Sequence, residues 1–113
     1  MSHTKLDNYL RSYRKRSGLS QREIAFLLGT RLGAKVSRYE YGRRTPDLDT
    51  VLALETIYRA PASALFAGRH QRIAGSVRRR AARLELRLKA EDSRRSVRKR
   101  EAVARIREHL PGQ

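Results

Sequence analysis

The stretch LSQREIAFLLGTRLGAKVSRYEYG, residues 19–42, decides the local fold of this chain. Ser20 followed by Glu23 is a capping-box pattern, in which each side chain bonds a free backbone N–H of the other, and it predicts a helix beginning at Gln21. Gly29 suits the left-handed position that follows a helix C-terminus, so this helix should end just before it. The first half of the stretch therefore predicts a short helix and a glycine-bearing turn.

A second helix is predicted over residues 33–41, after a turn over residues 30–33. Val36 and Tyr39 have the spacing of a buried helical face, and Gly42 is placed to stop the helix. The stretch as a whole thus predicts a helix-turn-helix unit, an outline typical of DNA-binding proteins.

Three further short helices are predicted around this pair. The first covers residues 6–16, where apolar side chains recur every three or four residues: Leu6, Tyr9 or Leu10, and Tyr13. The fourth follows the N-cap residue Asp47, and its core-facing residues should be Leu48, Val51, Leu52, Leu54 and Tyr58. Pro61 opens the fifth. The fold class expected for residues 1–68 is an all-α, five-helix, helix-turn-helix domain.

Residues 69–113 are predicted to form a separate, basic and helical C-terminal extension. An amphipathic helix is expected over about 70–90, with its apolar side formed by Ile73, Val77, Ala81, Leu84 and Leu88. A break at residues 92–93 and a weaker apolar stripe follow, the latter made of Val103, Ile106 and Leu110. Three interpretations of the extension stay open: a dimerisation arm, a source of phosphate contacts, or a disordered segment that orders on a partner.

Charge indicates the kind of partner. The chain has 27 Lys and Arg against 11 Asp and Glu, a formal net charge of +16. Residues 1–66 contain 12 basic and 6 acidic residues, net +6, and residues 67–113 contain 15 and 5, net +10. Such an excess favours a polyanionic partner, either nucleic acid or an anionic membrane surface.

Several functional classes find no support in the sequence. There is no cysteine, so disulfides and thiol chemistry are excluded. No apolar run approaches the roughly 20 residues that span a bilayer, and a cytoplasmic, nucleoid-associated protein is expected. The three histidines, His3, His70 and His109, lie far apart with no ligand spacing. We therefore expect no metal, no cofactor and no enzymatic activity.

The segments LSQREIAFLLG and KVSRYEYGRRTPDLDTVLAL together resemble the phage repressor and Cro-like family, also called the xenobiotic-response-element type. The resemblance covers residues 6–66 and is carried by Leu-Ser-Gln, the Leu-Gly turn, Ser-Arg-Tyr-Glu and Arg-Arg-x-Pro. It implies a charged pair, Arg14 with Glu40, that joins the first helix to the third. The turn is one residue longer than is usual in that family.

The resemblance also implies which residues contact DNA. Base contacts are expected from Arg38, Ala34, Gly33 and Arg31. Arg38 is the strongest candidate, since arginine can bond guanine with two parallel hydrogen bonds. Phosphate contacts are expected from Gln21, Lys35, Arg43 and Arg44.

Three functions follow as hypotheses. The first is a sequence-specific transcriptional regulator that binds a palindromic operator in double-stranded DNA as a homodimer. The second is a DNA-organising or accessory protein with mainly non-specific binding. The third is an antitoxin-like role, with a protein partner held by the C-terminal extension. No membrane partner is expected.

Overall fold

The computed structural model describes residues 6–91 and 94–108, and over these ranges the chain is all-α. The helices within them, in chain order, are α1 (Leu10–Ser17), α2 (Gln21–Leu27), α3 (Gly33–Glu40), α4 (Leu48–Tyr58), α5 (Ala62–Leu65), α6 (Ala67–Glu91) and α7 (Arg94–Glu108). The predicted fold class, a five-helix domain followed by a helical extension, is confirmed.

Side-chain caps start α2 and α4 where the sequence places them. The Glu23 N–H donates to Ser20 Oγ at 3.1 Å, and the Ser20 N–H donates to Glu23 Oε1 at 2.9 Å, which completes the predicted capping box. The Thr50 N–H donates to Asp47 Oδ1 at 2.9 Å at the start of α4. Both N-termini are therefore set by local sequence.

Glycines end the two helices of the central stretch in the same way. Gly29 and Gly42 have φ angles of 79° and 71°, a left-handed conformation that costs least for glycine. The N–H after each one reaches back into the last helical turn, from Thr30 to the Ala25 carbonyl and from Arg43 to the Arg38 carbonyl, both at 2.9 Å. This is the Schellman arrangement, which fixes the direction of the chain as it leaves each helix.

One core joins the first five helices. Each of them contributes at least one buried residue, and together these are Leu10, Ile24, Ala25, Val36, Tyr39, Leu54 and Leu65. The buried residues of α2 and α3 face this core, and residues on their other sides, such as Phe26 and Arg38, are exposed.

The prediction that the first helix begins near residue 6 is wrong. Leu6 is 60% exposed, and the helix begins at Leu10 because Asn8 Oδ1 accepts the Leu10 N–H at 3.1 Å in a local turn. The backbone of residues 6–9 instead forms hydrogen bonds with residues 65–68. The Tyr9 N–H donates to the Leu65 carbonyl at 2.7 Å, and the Gly68 N–H donates to the Leu6 carbonyl at 2.8 Å.

The predicted burial of α4 is also wrong in part. Leu54 is buried, but Leu48 is 70% exposed and Leu52 is 50% exposed. Leu48 and Leu52 lie four residues apart and so share a helix face, roughly opposite Leu54. The helix was identified correctly, but one side of it has no other helix of its unit to cover it.

The chain divides into two compact units, Met1–His70 and Gln71–Gln113, and α6 begins in the first and continues into the second. The second unit, as far as it is described, packs α6 on α7 through Ala81, Leu88 and Val103. Two helices can bury only a narrow strip, so the other predicted apolar residues, Ile73, Val77, Leu84 and Ile106, are exposed. The predicted break at residues 92–93 and Leu110 lie outside the described residues.

We expect Arg59→Gly to stabilise the first unit. Arg59 follows α4 with φ 53° and ψ 47°, a left-handed conformation that strains any side chain with a Cβ by about 1 kcal/mol. Relieving this strain should raise the free energy of unfolding by about 0.5–1 kcal/mol, or the Tm by about 3–6 °C. Thermal unfolding followed by circular dichroism measures it. Ala53→Gly in the same helix is the control and should lower the Tm; a lower Tm for Arg59→Gly would contradict the expectation.

Candidate nucleic-acid interface

Helix α3 presents a small, positively charged outer face. Val36 and Tyr39 are buried in the core, whereas Ala34 and Arg38, four residues apart, are both exposed on the other side. Arg31, in the turn before the helix, is exposed as well. The structure therefore places two of the four predicted base-contacting residues on one open face of α3, and a third is exposed in the turn before it.

The fourth, Gly33, faces helix α2. A Cβ at this position would lie 3.6 Å from the backbone nitrogen of Arg22 and 3.7 Å from its Cα, an ordinary van der Waals contact. Gly33 thus lies where the N-terminal ends of α2 and α3 approach each other. Its base contact stays a prediction.

A carboxylate buried under α3 holds three helices together. Arg14 of α1 donates from Nε to Glu40 Oε2 at 2.6 Å and from Nη2 to Oε1 at 3.2 Å. Gln21 of α2 donates from Nε2 to the same Oε1 at 3.1 Å. The Glu40 side chain is only 1% exposed and that of Arg14 14%. We call these three residues the Glu40 network; its Arg14–Glu40 pair is the one the resemblance implies.

Further bonds extend the Glu40 network. Arg14 Nη1 also donates to the Leu19 carbonyl just before α2, at 3.2 Å. The hydrogen bond to Glu40 raises the pKa of Arg14, so its charge persists at any pH at which the fold survives. Asn8 Nδ2 donates to the Tyr39 carbonyl at 3.1 Å and adds a second link between the start of α1 and α3. Sequence reasoning missed Asn8, although an asparagine two residues before a helix is a recognisable turn signal.

Gln21 was predicted to contact phosphate, and the structure shows its side chain supporting α3 through Glu40. One amide hydrogen is used by Glu40, which leaves the second as a possible donor from this half-buried side chain. The phosphate contact itself stays a prediction.

The connection after α3 gathers positive charge near one carboxylate. Hydrogen bonds from the Thr50 side chain and backbone lower the pKa of Asp47, and the charges of Lys35 and Arg44 act in the same direction. Lys35 and Arg44, predicted separately as phosphate contacts, therefore lie in the same neighbourhood. Arg43 is exposed beside them.

Arg69 joins this connection from the start of α6. Its Nη1 donates to Thr45 Oγ1 at 3.1 Å, across 24 residues of sequence. Sequence reasoning assigned Arg69 to the extension, because no local pattern signals a contact at that separation.

Comparison with known proteins places this geometry in a family. Residues 8–67, more than half of the chain, match the family model described as a helix-turn-helix domain. The chain belongs to this helix-turn-helix family. No curated protein and no solved structure matches it.

Helices α2 and α3 are thus the two helices of the helix-turn-helix. In this motif the first helix crosses the DNA backbone and the second lies in the major groove, so the domain is a DNA-binding unit. Arg38 and Ala34 are on the outer face of the second helix, and their contacts with base edges stay a prediction.

Two other kinds of site were sought in residues 6–91 and 94–108. No group of three or more His, Cys, Asp or Glu side chains there could hold a metal ion. None of the helices in these ranges has the length and apolar character needed to cross a membrane. His3 and His109 lie outside the described residues.

The Glu40 network predicts a large effect of removing one buried charge. We expect Glu40→Ala to lower the free energy of unfolding by about 3 kcal/mol, because Arg14 then stays largely buried without its carboxylate. The double variant Arg14→Met/Glu40→Leu should recover most of this loss, since it removes both desolvated charges. Urea unfolding measures both. A double variant as unstable as Glu40→Ala would show that the lost packing, and not the unpaired charge, is responsible.

The environment of Tyr58 predicts that the free energy of unfolding falls at alkaline pH. The Tyr58 ring packs beside the Tyr13 ring, with centroids 5.9 Å apart. Burial raises the pKa of Tyr58 to about 12. The negative charge of Glu40 also raises this pKa, and the positive charge of Arg14 lowers it. The unfolded chain, with a tyrosine pKa of about 10, loses this proton first, so the contribution is complete below pH 10 and is lost as the pH rises towards 12.

Tyr58→Phe should therefore flatten the decline of unfolding free energy between about pH 10 and 12. Urea unfolding at a series of pH values measures the slope. Tyr41→Phe, at an exposed tyrosine, is the matched control. If both variants keep the slope of the parent protein, burial of the Tyr58 hydroxyl does not produce it.

Proposed function

We propose that this protein is a non-catalytic, sequence-specific transcriptional regulator of the repressor and Cro-like type. The observation that carries the proposal is the Glu40 network, which fixes α3 from beneath while Arg38 projects from its outer side. A recognition helix needs such a fixed orientation, because hydrogen bonds to base edges tolerate little misplacement.

Arg38 is the main base-contacting residue in this proposal. Its guanidinium can donate to O6 and N7 of a guanine in the major groove. Ala34, one helical turn earlier, offers a methyl group to a thymine methyl, and Arg31 reaches base or backbone from the turn. Gly33 contributes only a close approach of the backbone.

Phosphate contacts hold α3 in the groove. Lys35 and Arg44, both near Asp47, together with Arg43, form the cationic side of the surface, and Gln21 has an amide hydrogen to add. Such contacts set position and affinity without reading sequence. Arg69 extends this set, because its bond to Thr45 holds it at the same connection.

We infer that the protein binds a palindromic operator as a homodimer, because the base-contacting face of a single α3 is narrow. One bidentate arginine supplies only about 1–3 kcal/mol of discrimination, and two copies of α3 in successive major grooves double this. Half-sites in such complexes lie about 34 Å apart, one turn of DNA.

A second candidate, a DNA-organising protein with mainly non-specific binding, is favoured by the charge distribution. Residues 71–113 contain 14 basic and 5 acidic residues, net +9, against 13 and 6, net +7, in residues 1–70. More than half of the excess charge thus lies outside the helix-turn-helix domain, where it adds affinity for any sequence.

One experiment separates the two functions. Duplexes selected by the protein from a random pool give the preferred sequence, and binding to that duplex and to a scrambled one is then compared over a range of salt concentrations. A regulator keeps a preference of at least about 1,000-fold for the selected duplex. Equal binding at every salt concentration overturns the proposal and leaves the DNA-organising function.

Two arginine variants test the roles of individual residues. We expect Arg38→Ala to cost about 1–3 kcal/mol on the selected duplex and far less on the scrambled one, because only a base contact depends on sequence. Arg44→Ala should weaken both duplexes alike and lower the salt dependence of binding by about one counterion. Fluorescence anisotropy with both duplexes measures these effects. Equal losses on both duplexes for Arg38→Ala would remove it from base contact.

A further inference from the structure

Helix α6 carries a row of arginines on the side opposite its buried face. Arg79, Arg80, Arg83 and Arg87 are all exposed and fall within a sector of about 100° on the helix. Ala81 and Leu88, the buried residues of the helix, lie on the other side. We call this row the α6 arginine stripe.

No carboxylate belongs to the stripe. The acidic residues of α6 are Glu85, half-buried on the side that meets α7, and Glu91 at the C-terminal end. Glu85 Oε2 accepts from Arg107 Nε at 2.7 Å, and its Oε1 lies 3.8 Å from Lys89 Nζ. The ion pairs of Glu85 with Arg107 and Lys89 therefore lie away from the stripe. Among the described residues of α6, the acid beside the stripe is Glu91, four residues after Arg87, so the four arginines keep a net positive charge.

Helix α7 shows that this arrangement is not a simple result of arginine-rich composition. Its buried residues are Ser96 and Val103, and its outward side mixes both signs of charge. The exposed residues of that side include Arg94, Arg98, Glu101, Arg105 and Glu108. Thus the two helices of one unit differ: α7 presents a mixed outer surface, whereas α6 presents a row of four arginines.

We propose that the α6 arginine stripe is a second binding surface for the phosphate backbone of double-stranded DNA, separate from the helix-turn-helix. From Arg80 to Arg87 the stripe extends about 10 Å along the helix axis. Phosphates of one DNA strand follow each other every 3.4 Å or so of duplex axis, so about three lie along this length. Arginine is suited to them because its planar guanidinium donates two parallel hydrogen bonds to a phosphate.

Other occupants fit the stripe less well. A second copy of the chain would bring like charges together. A protein interface of useful affinity needs a cluster of aromatic or aliphatic anchors, and the exposed leucines that border the stripe, Leu84 and Leu86, lie on opposite sides of it. A membrane-bound helix inserts an apolar face; Ala81 and Leu88 of α6 pack on α7, which leaves only Ile73, Val77 and Leu84 exposed on that side, and vesicle binding is therefore measured in parallel. Duplex DNA needs only the exposed guanidinium groups.

The stripe and the helix-turn-helix belong to one chain, and this connection raises the affinity of the whole chain for DNA. Once one site holds a duplex, the other meets the same duplex at a high effective concentration, so two modest affinities multiply. The inference depends on the proposed function only for the choice of DNA as the polyanion.

The test uses the full chain and a duplex of scrambled sequence, which contains no selected site. Arg80, Arg83 and Arg87 are replaced together by Gln, and the matched control replaces Arg94, Arg98 and Arg105 of α7 by Gln, an equal loss of charge from the same unit. The slope of log Kd against log salt concentration is measured by anisotropy from about 50 to 200 mM salt. Circular dichroism checks that both variants keep the parent helicity.

We expect the α6 variant to lower the slope by about 2.5 and to weaken binding at least tenfold at about 0.1 M salt, because three phosphate contacts are lost. The α7 control should change the slope by less than about 1, and lysine at the three α6 positions should keep the parent slope. Equal changes in the α6 and α7 variants, or no change in the α6 variant, would overturn the inference.

A parallel measurement uses vesicles of equal parts phosphatidylcholine and phosphatidylserine. Loss of vesicle binding in the α6 variant, with its DNA slope intact, would overturn the inference in favour of a membrane. These outcomes are independent of the proposed function. A protein that fails to distinguish selected from scrambled duplexes can still show the α6 effect, and one that distinguishes them can lack it.

Discussion

The buried Glu40 carboxylate is the constraint on which the orientation of α3 depends. A charged group that is almost fully desolvated must find donors, and here it takes them from Arg14 of α1 and Gln21 of α2. The net gain in stability from such a pair is small, because both charges give up water. Its geometric effect is large, since a rotation of α3 would leave the carboxylate without partners. The outer face of α3 is therefore fixed by a polar contact on its inner side, supplemented by the apolar packing of Val36 and Tyr39.

The sequence predicted interactions between nearby residues better than interactions between distant segments. The capping box of Ser20 and Glu23 and the turn at Gly29 depend on residues within five positions, and both were predicted correctly. Contacts between distant segments were not predicted, because no pattern of neighbouring residues indicates them. Glu55 illustrates this: its carboxylate accepts the Ala62 N–H at 2.6 Å at the start of α5, and this contact was not predicted. The Arg14–Glu40 pair, 26 residues apart, was predicted only through the family resemblance.

Apolar periodicity identified helices better than it identified the core. Leu48 and Leu52 have helical spacing, yet both are largely exposed, and so are Ile73 and Leu84 of α6. A repeat of apolar residues shows that a helix can bury a face, but it does not show that another element is present to cover it. Units of this size have few helices available, since a domain of about 60 residues buries only about 60% of the surface of its unfolded chain. The base and phosphate contacts depend on a DNA duplex, which is not part of the chain, so apolar periodicity does not determine them.

The distribution of charge separates two physical tasks within the proposed complex. Discrimination between sequences requires a group held in a fixed direction, and the Glu40 network provides this for Arg38 alone among the strong base-contacting residues. Attraction to the backbone requires only charge at the surface, which Arg43, Arg44 and the α6 arginine stripe supply without a rigid support. Salt weakens the second contribution far more than the first, because counterion release scales with the number of phosphates contacted. In the proposed complex, the preference for one DNA sequence therefore depends on α3 at any ionic strength, and the time spent on DNA of any sequence depends on the exposed arginines.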